Sequence, residues 1–141
     1  MEKNIVGNNV YYEIIWSKPY ICNRHVVRGI PIMPGIVSLY QENRGVIKHL
    51  LIYACWKSGI RIGIRNLLDP DFSQFPELIK LSDEKNLLFR YAVIDTHFLD
   101  VQDILYWLIR EYIPVLNNVK EFKDSERYKD IYLKELYENG G

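Results

Sequence analysis

The chain has 141 residues, 48% hydrophobic and 13% aromatic with 11 Tyr, and a formal net charge of zero. That excludes a disordered polar chain and a strongly basic nucleic-acid binder, and the length fits one domain, residues 1–141, able to bury a core unaided. Two lone cysteines, Cys22 and Cys55, in no C-x-x-C spacing, read as buried thiols of a reducing compartment rather than a zinc site or a disulfide. MEKNIVGNNV has no signal-peptide run and no stretch of about 18 apolar residues occurs, so the expectation is a cytoplasmic protein without membrane contact.

In chain order, Val10–Trp16 is β-branched and aromatic and reads as a strand. Ser17–Gly29 is a polar connection. Pro31 and Pro34 then stiffen an extended lead-in, since each fixes its own φ and pushes the preceding residue into extended geometry. Gly35–Gln41 is a second strand, Glu42-Asn43-Arg44-Gly45 a turn where positive φ is cheap, and Val46–Cys55 the returning strand of a hairpin. Beyond Ser58-Gly59, Ile60, Ile64, Leu67 and Leu68 recur at helical spacing until Asp69-Pro70, and Pro76–Leu81 opens with a proline suited to a first helical turn. Asn86–Ile94 is a fourth strand. Leu99–Tyr112 is the strongest helix, stopped by Pro114, and the Tyr- and Leu-striped end (about 124–139) predicts an amphipathic C-terminal helix. The fold class is α/β in the α+β sense: a small, mostly antiparallel sheet flanked by helices, with an added N-terminal strand and C-terminal helix.

Charge is unevenly distributed. Between Ile21 and Arg65 stand Arg24, Arg28, Arg44, Lys48, Lys57, Arg61 and Arg65 against Glu42 alone, and the rest of the chain restores the balance. Such a block is what a polyanion-facing surface requires, unless it interleaves in space with acidic residues. His25, His49 and His97 share no motif spacing, Asp69-Pro70-Asp71 fits a helix-ending turn, and Gly59-x-x-x-Gly63 lacks the Lys-Ser/Thr of a phosphate loop. Trp16, Trp56 and Trp107 read as core anchors.

Three segments carry more information together than apart: Pro34-Gly35-Ile36-Val37, Leu51-Ile52-Tyr53-Ala54-Cys55-Trp56-Lys57-Ser58, and Leu108-Ile109-Arg110-Glu111-Tyr112-Ile113-Pro114-Val115-Leu116-Asn117. In this order and context, residues 30–118 resemble the GIY-YIG nuclease domain. The resemblance implies a phosphodiester-hydrolysing ancestry in which a hairpin tyrosine handles the attacking water and an arginine stabilises phosphate charge. A helical glutamate would hold a divalent metal, and an asparagine would steady the site. Carried over, the first tyrosine falls on Val37 and the second on Tyr53, while Cys55 replaces the following glycine. Arg61 and Arg65 flank the arginine position, the glutamate falls on Leu105, and the asparagine on Asn117. No carboxylate shares the helical face of Leu105, with Asp100 and Asp103 pointing elsewhere, and a leucine cannot hold Mg²⁺.

The expectation is therefore a non-catalytic domain without cofactor or metal, with Tyr53, Arg61, Arg65 and Asn117 as vestiges. Mg²⁺ enters only if the chain is an active nuclease with relocated groups. Lys57, Arg61 and Arg65 are the candidates for weak DNA or RNA binding. The alternative is a protein-interaction module, contacting a partner or itself through the C-terminal helix.

Overall fold

The computed structural model describes residues 1–23 and 26–138. Arg24 and His25, and the closing Asn139-Gly140-Gly141, lie outside the described residues. Strand β1 (Glu2–Val6), which has no counterpart in the sequence reading, folds back on β2 (Asn9–Trp16) through Gly7 at φ 62°. A two-residue turn with positive φ at its first position suits glycine. Along β2 every second residue, Val10, Tyr12, Ile14 and Trp16, is buried, the pattern of a strand with one face in the core.

Four antiparallel strands form a second sheet in the order β3-β6-β4-β5. They are β3 (Tyr20–Ile21, inside the predicted connection), β4 (Gly35–Asn43), β5 (Val46–Cys55) and β6 (Leu88–Val93). The predicted hairpin is β4–β5, with Arg44 at φ 53° and Gly45 at φ 79° between Asn43 and Val46. Two positive φ values match the twist of the flanking strands. Helices α1 (Gly59–Leu67) and α2 (Pro76–Asp83) lie on one face and α3 (Phe98–Tyr112) on the other. Val37, Leu39 and Phe89 join the α1 core, whereas Ile36, Ile52 and Ala92 join a second core with α3 and β2. Cys22 and Cys55 are free and buried, and burial pushes both thiols up to about 12.

The proline-rich lead-in has a structural explanation. The carbonyls of Met33 and Pro31 accept the amide protons of Ile60 and Arg61 at 3.0 and 3.1 Å, so the lead-in covers the first turn of α1. Gly59, at φ 82°, sits where a Cβ would run into the Ile32 carbonyl.

The C-terminal helix is corrected. Asp130–Tyr137 is a strand, β7, parallel to β2 in the sheet β1-β2-β7. Its Tyr and Leu residues satisfy a period of 3.6 and a period of 2 alike, and Lys, Glu and Leu favour helix locally. The open edge of β2 decides between them, since pairing there satisfies both backbones and turns Ile131 and Leu133 onto the second core.

Candidate functional site

The residues singled out by the motif comparison do not share one cleft. Val37 and Tyr53 are direct cross-strand partners and so face the same way, toward α1. Val37 is fully buried and Tyr53 is 37% exposed beside a small hollow of about 110 Å³ bordered by Asn66 and Phe75. Leu105 is buried in the opposite core, across the sheet. Asn117 closes the free edge of β5: its Oδ1 accepts the Ile52 amide at 2.9 Å and its Nδ2 donates to the Ile52 carbonyl at 3.0 Å. Arg61 donates through Nε to the Ile30 carbonyl at 2.8 Å and through Nη2 to the Arg28 carbonyl at 3.2 Å, tying α1 to the lead-in. Lys57 and Arg65 are exposed.

The basic block is also divided in space. Lys48 is near the hairpin tip and Lys57 just beyond the other end of β5. The extended chain from Lys48 to Cys55 alone spans about 23 Å. Among the described residues no three His, Cys, Asp or Glu side chains are grouped to hold a metal ion, and no helix is long and apolar enough to cross a membrane.

The face turned away from α1 carries a different constellation, in a pocket of about 160 Å³ between the two sheets. Trp16 and Ile52 are nearly fully buried within it, and Ile47 and Tyr137, 46% and 42% exposed, lie at its mouth. The Arg90 guanidinium stands 6.0 Å from the Tyr40 ring centre and 4.9 Å from that of Tyr137. Glu135 accepts the Trp16 indole N–H at 2.8 Å through Oε1 and the Tyr112 hydroxyl through Oε2. Burial, then that carboxylate, drives the Tyr112 hydroxyl far above its ordinary range. His49 lies 4.4 Å from the Tyr112 ring, centre to centre. Burial lowers its pKa against the opposing pull of Glu135, so its imidazole is neutral at pH 7. Both His49 Nδ1 and Arg90 Nε are buried without a hydrogen-bond partner.

A β-bulge aims His49. The β4–β5 register slips between Leu39 and Tyr40, leaving Leu50 as the extra residue. Leu50 and Leu51, adjacent in sequence, therefore both enter the α1 core, and His49 is opposite Tyr40 on the pocket face. Bulges re-aim side chains in this way, often beside functional sites. Sequence reading weighed His49 without a partner and missed Arg90 and Glu135. Reading β7 as a helix removed Glu135 from the sheet, and alternation without the bulge sends His49 to the wrong face.

A third polar group ties the elements together. Asp100 Oδ1 accepts from Lys3 and Tyr12 at 2.8 Å and from Arg127 at 3.1 Å, while Oδ2 accepts from Thr96 at 2.8 Å. Asp103, fully buried, accepts from the Ser125 amide at 2.7 Å and from Arg127 at 2.9 Å. Burial opposes ionisation of Asp100, but those hydrogen bonds outweigh it and hold the carboxyl well below the usual range. The cluster locks β1, β2, α3 and the approach to β7 with its acceptors filled, which is a structural role. His97 likewise serves locally, accepting the Leu99 amide at the start of α3, and Asp69 accepts the Asp71 amide in the turn after α1.

A family model described as an uncharacterised protein matches residues 1–139. No curated protein and no solved structure matches the chain.

Proposed function

We propose, for a chain that belongs to this uncharacterised family, a non-catalytic GIY-YIG-like domain that holds nucleic acid weakly on the α1 side of the hairpin. The observation that carries this reading is the exposure of Lys57 and Arg65 at the two ends of α1, on the sheet face where Tyr53 is also half-exposed. Arg61 adds charge from the same helix while its donors are committed to backbone carbonyls. A site of two or three cations neutralises few phosphates, so affinity is low and falls steeply with salt. The separation of Val37 from Leu105 by the whole sheet favours binding over metal-assisted cleavage.

The test is titration of a short labelled duplex and a single strand at about 50 and about 200 mM salt. Salt-sensitive binding that disappears in Lys57→Glu/Arg65→Glu supports the proposal. Absence of binding at the lower salt refutes it. Parallel incubation with plasmid and Mg²⁺ or Mn²⁺ leaves the DNA intact, and cutting abolished by Tyr53→Phe would restore the nuclease reading.

A protein-interaction role is the second reading. With the C-terminal helix replaced by β7, its surface is the outer face of β2 and β7, where Tyr11 stacks on Tyr132 at 4.8 Å and Ile15 is opposite Leu136, all exposed. Light scattering over a concentration series, with Tyr132→Lys as control, reads self-association through this face.

A further inference from the structure

Arg90 and Glu135 present an electrostatic problem. Both are half-buried in the 160 Å³ pocket, yet neither belongs to any of the ion pairs within 4.0 Å among the described residues. A partly desolvated charge without a counter-charge is costly, and two of opposite sign in one pocket are complementary to a molecule that carries both. Two unpartnered atoms add direction: the Nε of the Arg90 guanidinium donates, and Nδ1 of the neutral His49 imidazole can donate or accept. The aromatic residues Trp16, Tyr112 and Tyr137 line the same pocket as Glu135 and give it a polarisable wall of the kind that suits an alkylammonium group.

We propose that this pocket is a binding site for a small zwitterion of the amino-acid class. The ligand's carboxylate is held by Arg90 and its ammonium by Glu135 among the surrounding rings. Size sets the scale, since 160 Å³ corresponds to about five waters at about 30 Å³ each. That scale suits glycine, β-alanine, γ-aminobutyrate or betaine. Glu135 is already aimed, because Trp16 and Tyr112 fix one oxygen each and leave lone pairs for a ligand. The proposal is independent of the nucleic-acid reading, since Tyr53 and α1 are on the opposite face of the sheet.

The test follows the Trp16 indole N–H in ¹H–¹⁵N spectra while the four zwitterions, acetate and methylammonium are each titrated into the full chain. Trp16 is directly bonded to Glu135, so its resonance reports occupancy. At least one zwitterion is expected to give a saturable shift with Kd of about 1 mM or below, with acetate and methylammonium at least about tenfold weaker. Arg90→Met and Glu135→Gln should each weaken the best zwitterion by about tenfold or more. The proposal fails if no zwitterion saturates the shift, if either singly charged probe binds as well, or if both variants bind like wild type. Should one variant fail to fold, the comparison of zwitterion with singly charged probes on the native chain still decides.

Discussion

Replacing Asn117 by alanine tests how much this side chain contributes to the fold. β5 is an edge of its sheet, and the segment after α3 covers it: the Val115 and Leu116 amides donate to the His49 and Leu50 carbonyls at 3.2 and 2.8 Å. Asn117 continues that pairing with its side chain, which satisfies both backbone groups of Ile52, itself 1% exposed. Two hydrogen bonds contribute about 1 kcal/mol each, and leaving buried backbone groups unpaired adds a desolvation cost, so Asn117→Ala should destabilise by about 2–4 kcal/mol. For a chain of this size that lowers Tm by roughly 6–15 °C. Urea unfolding followed by circular dichroism gives the free energy, and calorimetry gives Tm. Val115→Ala is the control, its side chain 61% exposed and its backbone bond retained, with an expected change within about 0.5 kcal/mol. The reasoning is refuted if Asn117→Ala falls in the same band as that control.

The remaining predictions are shorter. Arg127→Met strips the shared cation from Asp100 and Asp103, and should cost about 3 kcal/mol, the low end for a broken buried pair because the arginine side chain is 28% exposed. Urea midpoints equal to wild type would contradict it. Because the Asp100 carboxyl is depressed in the folded chain, its contribution is fully present above the unfolded value of about 4 and drains away as pH falls below it. Stability measured from pH 6 down to pH 2 should therefore decline less steeply in Asp100→Asn than in wild type, from a lower starting point. Gly63→Ala places a Cβ against the Cys55 sulfur and should cost about 1–3 kcal/mol, less the helix propensity gained. In a Cys55→Ala background the sulfur contact is gone and only the 3.0 Å contact with the Cβ of residue 55 remains, so most of the cost should disappear, and an undiminished cost would locate the strain elsewhere.

Much of the fold was readable because local chemistry and tertiary structure agree. The turn at Arg44-Gly45 is set by positive φ, the start of α2 by Pro76, and α3 by an apolar stripe whose members Val101, Ile104, Leu105, Leu108 and Ile109 are all buried. What was not readable depends on partners distant in sequence. β1 has all five residues exposed and its two apolar residues, Ile5 and Val6, adjacent rather than alternating, and it exists because β2 offers it a backbone ladder and Asp100 binds Lys3. β7 depends on the unpaired edge of a strand more than 110 residues earlier. Local propensity cannot express either condition.

The two sides of the sheet differ in how far the sequence exposes them. Tyr53, Lys57, Arg61 and Arg65 follow one another along the chain, so their proximity is visible in spacing alone. The pocket on the other face draws Tyr40 and His49 from the hairpin, Arg90 from β6, Tyr112 from α3 and Glu135 from β7. Its assembly needs the sheet order, the parallel return of β7 and a single bulge. Without that bulge, counting back from Tyr53 in steps of two sends Leu51 and His49 to the α1 face together. With Leu50 as the extra residue, His49 changes side and meets Tyr112. One residue of register thus separates a histidine packed under a helix from one that opens into a charged, aromatic pocket. This is why the pocket becomes visible only when the strands are paired.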